Sequence, residues 1–174
     1  RDGSIRFLDP KSGQLRQTSP PAWCGPVHSV CFSSDGKILA TSAGLGTICL
    51  WDAHRWQPLR KFEANDIIGR VSPACGTIAW GPGDTTIARP NIRQDALEIL
   101  DSQSGQVLRA LSGNSQRLAC VCWSPDGTLL AAGTIDGKAL VWDVKSDSNQ
   151  PFVTFDAHAG SVNALAWKPQ DQGL

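Results

Sequence analysis

Residues 118–143 read LACVCWSPDGTLLAAGTIDGKALVWD. Leu118, Cys120 and Cys122 alternate with Ala119, Val121 and Trp123, so an extended chain here carries apolar side chains on both faces. Ser124-Pro125-Asp126-Gly127 follows as a turn, because Pro presets φ and Gly accepts a positive one. Leu129–Thr134 is a second apolar run, Asp136-Gly137 a hairpin signal and Ala139–Trp142 a third run. Each run is too short for a typical helix, and the turn signals fall every eight to twelve residues. The stretch therefore predicts three consecutive antiparallel strands.

The same unit recurs along the chain. Its first strand closes in Val30-Cys31-Phe32, Ile78-Ala79-Trp80, Val121-Cys122-Trp123 and Leu165-Ala166-Trp167, with the aromatics 48, 43 and 44 residues apart. The turns behind them are SSDG, GPGD, SPDG and KPQD, and the third strand ends in Leu8-Asp9, Trp51-Asp52, Leu100-Asp101 and Trp142-Asp143. A period near 44 with these signatures resembles the WD40-repeat β-propeller family, and the resemblance runs through nearly the whole chain. It implies an all-β fold of four-stranded antiparallel meander blades arranged radially. Each meander has two apolar faces, and stacking blades covers both.

In this frame the chain is about four blades of a larger propeller. A partial blade occupies residues 1–19, a full blade 20–63, an irregular blade 64–111 and a regular blade 112–156, and a further blade begins at 157–174. Val162–Lys168 is the expected first strand of that last unit. The aromatics at 32, 80, 123 and 167 are expected between blades. The set is an open arc whose unpaired edges and apolar faces should make the isolated piece associate. The remaining blades of the parent chain are thus expected partners.

Composition narrows the function classes. The 174 residues are 41% hydrophobic and 18% charged with a formal net charge of zero, so there is no electrostatic footprint for nucleic acid or an anionic membrane. No apolar run reaches the length of a membrane span. The chain has no Met and starts at Arg1, which points to a piece of a longer gene product. Six cysteines at 24, 31, 49, 75, 120 and 122 form no Cys-x-x-Cys pair, and those at 31, 49, 120 and 122 fall inside apolar strands. They read as reduced core residues of a cytoplasmic protein.

No catalytic or metal set emerges, and no cofactor is expected. Gly44-Leu45-Gly46 lies between strands, with no helix N-terminus to offer a phosphate. His28 and Ser29 are adjacent on a strand and point to opposite faces. Cys120 and Cys122 share a face, but no His or carboxylate has ligand spacing beside them. The blade-end carboxylates Asp9, Asp52, Asp101 and Asp143 are whole blades apart, too far for a carboxylate pair, and are expected to cap backbone donors. The family resemblance implies a structural tetrad in each blade, with Thr134, Asp136 and Trp142 in three of its roles and Asn114 at the position of the usual His. In the full blade before it, Trp23 and Leu45 interrupt the pattern while Trp51 remains.

The irregular loops carry the functional expectation. A meander sends the blade-joining loops and the inner hairpins to the same end. The long joining stretch Ala64–Cys75 and the inner hairpin Arg89–Asp95 therefore share one face, with Trp23 beside them. Trp23, Ile67, Ile68, Arg70, Arg89, Asn91 and Arg93 have the makeup of a protein-binding surface, exposed aliphatics and Trp ringed by Arg. The alternative is that Trp23, Ile67 and Ile68 tuck into their own blades. The expected function is a non-catalytic scaffold that binds proteins or peptides through that face. The alternatives are a ligand-sensing propeller of a multidomain signalling ATPase or kinase and, more remotely, a propeller enzyme.

Overall fold

A computed structural model describes residues 3–19, 25–43, 46–63, 77–91, 96–113 and 117–168, and none of these is α-helical. The chain divides into two compact units, residues 1–75 and 76–174, each taken by itself below.

In the first unit, β1 (Arg6–Leu8) pairs antiparallel with β2 (Leu15–Thr18). A four-stranded meander follows, of β3 (Val27–Phe32), β4 (Ile38–Ala43), β5 (Ile48–Asp52) and β6 (Pro58–Phe62), in spatial order β3-β4-β5-β6. The middle strands are buried on both faces because ILATSA and ICLWD offer nothing charged to solvent until Asp52. Leu39, Cys49 and Trp51 form their core, and Ile5, Phe7 and Trp56 pack against it.

The second unit holds two meanders. One is β7 (Ala79–Trp80), β8 (Thr86–Asn91), β9 (Ala96–Asp101) and β10 (Val107–Leu111); the other is β11 (Leu118–Trp123), β12 (Leu129–Thr134), β13 (Lys138–Asp143) and β14 (Val153–Asp156). They share one core. Ala88, Leu97, Ile99 and Leu111 of the first pack with Leu118, Val121, Leu130, Ala132, Leu140 and Trp142 of the second. Meanders with two apolar faces bury them by stacking, which is what the repeat pattern requires. The outer strand β14 is exposed throughout.

Four expectations need correction. The inner hairpin does not span Arg89–Asp95: β8 continues through Pro90 to Asn91, which pairs with Ala96. Pro90 is accommodated where the neighbouring β7 has already stopped, so its missing N–H breaks no rung with that strand. Residues 162–168 are not assigned as a strand, because they have no ladder partner among the described residues. They nevertheless lie against the last sheet. Val162 is 1% exposed, its N–H donates to the Thr134 carbonyl at 2.9 Å, and a Cβ on Gly133 would come 2.6 Å from the Val162 Cβ. Phe32 is 51% exposed rather than packed between sheets, whereas Trp123 packs against the second unit's core. Finally, Cys31, Cys120 and Cys122 are thiols outside any disulfide, but Cys49 is disulfide-bonded, with its partner outside the described residues.

Candidate functional site

Trp23, Ile67, Ile68, Arg70, Arg93 and Asn114 lie outside the described residues. Arg89 and Asn91 are described, and neither is an exposed loop tip. Arg89 is 8% exposed, and its Nε donates to Glu98 Oε2 at 2.9 Å; Glu98 is 5% exposed. Asn91 Nδ2 donates to the other carboxylate oxygen, Oε1, at 2.6 Å. In the sequence Glu98 is hidden within LEIL, one acidic residue in an apolar strand. The available signal was a charge at a strand position whose neighbours are all apolar.

The registers show what this cluster replaces. Leu39 pairs with Trp51, Leu130 with Trp142 and Ile87 with Leu100, so the three meanders can be aligned rung by rung. Two residues further on, the rungs are Thr41–Cys49, Ala132–Leu140 and Arg89–Glu98. In the first meander Trp51 Nε1 donates to Thr41 Oγ1 at 3.1 Å. The third meander has Ala132 at that rung and no hydroxyl to offer, so Trp142 Nε1 donates instead to the Ser112 carbonyl at 3.0 Å. Thr134 and Asp136 are brought together, the hydroxyl donating to the carboxylate and accepting from the Lys138 N–H at 2.9 Å, but Trp142 is not part of their network.

The blade-end carboxylates act on their own turns. Asp9 Oδ1 accepts from the N–H groups of Lys11 and Ser12, Asp52 Oδ1 from His54 and Arg55, each at 2.8 Å. Asp101 Oδ1 accepts from Gln103 at 3.1 Å and Ser104 at 2.7 Å, and Asp143 from Lys145 at 2.8 Å. The backbone amide of Ser12, the Arg16 guanidinium and the amide of Lys11 hold Asp9 below the usual carboxylate range. In the first three turns the fourth residue after the Asp has a positive φ: Gly13 at 68°, Trp56 at 57° and Gly105 at 72°. Trp56 thus stands where the repeat uses glycine, and its ring lies 3.6 Å, centroid to centroid, from Phe7.

The Ser-x-Asp-Gly turns are built alike. Ser33 Oγ donates to Asp35 Oδ1 at 2.8 Å and accepts from the Ile38 N–H; Ser124 Oγ donates to Asp126 Oδ1 at 2.6 Å and accepts from the Leu129 N–H. The Lys37 amide first, then the Ser33 hydroxyl, lowers Asp35 to about 2. The Ser124 hydroxyl and the Thr128 amide lower Asp126 likewise to about 2. These are carboxylates used as acceptors, poorly suited to general acid–base work near neutrality. Burial, reinforced by Cys120, pushes the Cys122 thiol up to about 11, the opposite of an activated nucleophile. Among the described residues no group of three or more His, Cys, Asp or Glu is placed to hold a metal, and no helix is long and apolar enough to cross a membrane.

A cleft of about 520 Å³ opens between the two sheets of the second unit, walled by Pro82, Ile99, Leu108, Trp123 and Val144 with Asp126 in its lining. Arg109 also lines it, but its guanidinium is turned to the β13–β14 connection. Nε donates to Asn149 Oδ1 at 2.8 Å, and the terminal nitrogens donate to the carbonyls of Val144, Ser146 and Ser148 at 2.6–2.7 Å.

Comparison with known proteins adds the following. The family described as "WD domain, G-beta repeat" matches residues 14–52 and 105–143. The chain is 32% identical over 156 residues to the anaphase-promoting complex subunit cdc20 of Dictyostelium discoideum, covering 85% of this chain and 28% of that protein. It is 31% identical over 149 residues to FIZZY-RELATED 1 of Arabidopsis thaliana, covering 85% and 29%. A third relative, the periodic tryptophan protein 2 homolog of Caenorhabditis elegans, is 28% identical over 172 residues, covering 98% and 18%. The chain therefore spans less than a third of the length of these relatives. A chain in the crystal structure of a mitotic checkpoint complex shares the fold with a TM-score of 0.78 at 23% identity, over 97% of this chain and 49% of that one.

Proposed function

Because this chain belongs to the WD40-repeat family, we propose that it is a non-catalytic scaffold that binds partner proteins or peptides through one face of its propeller. One observation carries the proposal above the others: 85% of the chain aligns at 32% identity with a protein named as a subunit of a multiprotein complex. The chemistry of the described residues supports it. The conspicuous carboxylates and hydroxyls cap turns or join ladders within their own sheets, which leaves them structural. A formal net charge of zero supports a chain without nucleic-acid or membrane partners; the cytoplasmic setting remains the proposal, although the Cys49 disulfide removes the ground that reduced cysteines gave it.

The proposed binding face is the one that receives the 64–75 joining stretch and the 92–95 connection, with Trp23 beside them. Trp23, Ile67, Ile68, Arg70 and Arg93 are the proposed contacts. Arg89 and Asn91 are held on Glu98 within the β8–β9 ladder. The proposed blade boundaries remain 1–19, 20–63, 64–111, 112–156 and 157–174. The test compares proteins retained by the unmodified chain and by Trp23→Ala, Ile68→Ala and Arg93→Ala, with Lys37→Ala as the control on the opposite end. A truncated hot-spot side chain costs ~2 kcal/mol or more in binding, so retention should drop sharply while the melting temperature stays nearly constant. If the Trp23 and Ile68 variants instead melt several degrees lower and retain partners normally once folded, those side chains belong to the core and the face is wrongly placed.

A further inference from the structure

The β8–β9 ladder is the place among the described residues where two opposite charges are buried together, with side chains only 10% and 7% exposed for Arg89 and Glu98. They are direct register partners. Asn91 lies two residues along β8 on the same face, in the last rung before the 92–95 connection. Each oxygen of Glu98 therefore holds one β8 side chain, and a single carboxylate spans the two same-face positions nearest that connection.

Nothing in the repeat demands charge here. The same rung is Thr41–Cys49 in one sister sheet and Ala132–Leu140 in the other, and both ladders form. A buried ion pair adds little net stability over a well-packed apolar pair, because the cost of removing both charges from water offsets most of their attraction. What it adds is definition. Charge-assisted hydrogen bonds are directional, and a one-residue slip of register would turn Glu98 to the opposite face and strand two buried charges. That definition falls in the meander that also contains Pro90, which contributes no N–H to its ladder.

We propose that Glu98 is a positioning residue. Its carboxylate fixes the register and orientation of the closing end of the β8–β9 ladder, the described backbone that leads into the proposed partner-binding face. The second half of this inference rests on the binding face proposed above; the first half does not, and it is tested without any partner.

The decisive variant is R89A/E98L, which installs the third sheet's own Ala–Leu rung. Its melting temperature should fall by less than about 3 °C, since an apolar pair replaces an ionic one of small net worth. Amide hydrogen exchange at Asn91 and at residues 96–98 should nevertheless accelerate at least about tenfold, while the amides of β12 and β13 keep their protection. Glu98→Gln keeps an acceptor for Arg89 but turns an amide donor toward Asn91, so it should accelerate the same amides to a lesser degree. Unchanged exchange in R89A/E98L overturns the proposal. A fall of more than about 10 °C with exchange rising across the whole sheet also overturns it, by making the pair a plain stabilising element. If the ladder end loosens as expected but the retained partners are unchanged, the positioning role stands and the error lies in the binding face.

Discussion

Replacing Trp56 by alanine and, separately, by glycine should give two destabilised proteins in an order that side-chain size alone would not predict. Trp56 has φ of 57° at a turn position where two sister turns place Gly13 and Gly105 at 68° and 72°. A bulky residue in this region carries strain of ~1–2 kcal/mol that glycine does not. The compensation is visible. Trp56 packs with Phe7 and Ile5 against the core of Leu39, Cys49 and Trp51, and its ring is tilted 36° to that of Phe7. An aromatic pair contributes about 0.5–1.5 kcal/mol beyond its buried area, and losing a half-buried ring costs roughly half of the 3–5 kcal/mol seen for a fully buried one. Trp56→Ala keeps the strain and loses the ring, for a net cost of ~2–3 kcal/mol. Trp56→Gly loses the same ring and relieves the strain, so it should be the more stable of the two by about 1 kcal/mol. Urea unfolding followed by far-ultraviolet circular dichroism measures both against the unmodified chain, and the comparison requires equal slopes. Phe7→Ala should cost less in the Trp56→Gly background than alone, because the two rings share one contact. Should the alanine variant prove as stable as the glycine variant, residue 56 does not hold a positive φ in solution and the account of this turn is wrong.

Arg109→Ala should loosen the β13–β14 connection, since one guanidinium serves Asn149 and the carbonyls of Val144, Ser146 and Ser148. We expect a loss of ~2 kcal/mol and faster amide exchange at 146–149, with Arg109→Lys recovering less than half because an ammonium lacks the planar fork; a lysine variant indistinguishable from the parent would refute the clamp. Asp35 and Asp126 are lowered from 3.8 to about 2 in the folded chain, so their contribution is complete above the unfolded value and is lost as pH falls from about 4 toward 2. The acid-side decline of the unfolding midpoint should therefore be shallower in the Asp35→Asn/Asp126→Asn double variant than in the parent, and an identical slope would contradict the turn hydrogen bonds.

What the sequence determined by itself was what depends on short separations. The alternation of LACVCW, the turns SSDG and SPDG and the repeated terminal Asp specify strands, reversals and caps through groups two to five residues apart. Their recurrence near 44 residues then dictated stacked meanders, because each has two apolar faces and none can bury them alone. The tertiary structure decided whatever depends on which rung faces which. Arg89 read as an exposed hairpin residue because its partner Glu98 is opposite only if β8 runs on through Pro90, a matter of register rather than propensity. Trp142 looked like a partner for Thr134, yet its N–H goes to Ser112, 30 residues away, because the rung that gives Trp51 a hydroxyl in the first meander carries Ala132 in the third. Trp56 gave no sign of its left-handed backbone, since the ring contact that compensates for it comes from Phe7, on a strand nearly fifty residues earlier. Hydrogen bonds within a turn are written in the local order of residues. Partners across strands are chosen by packing, which exists only once the sheets have formed.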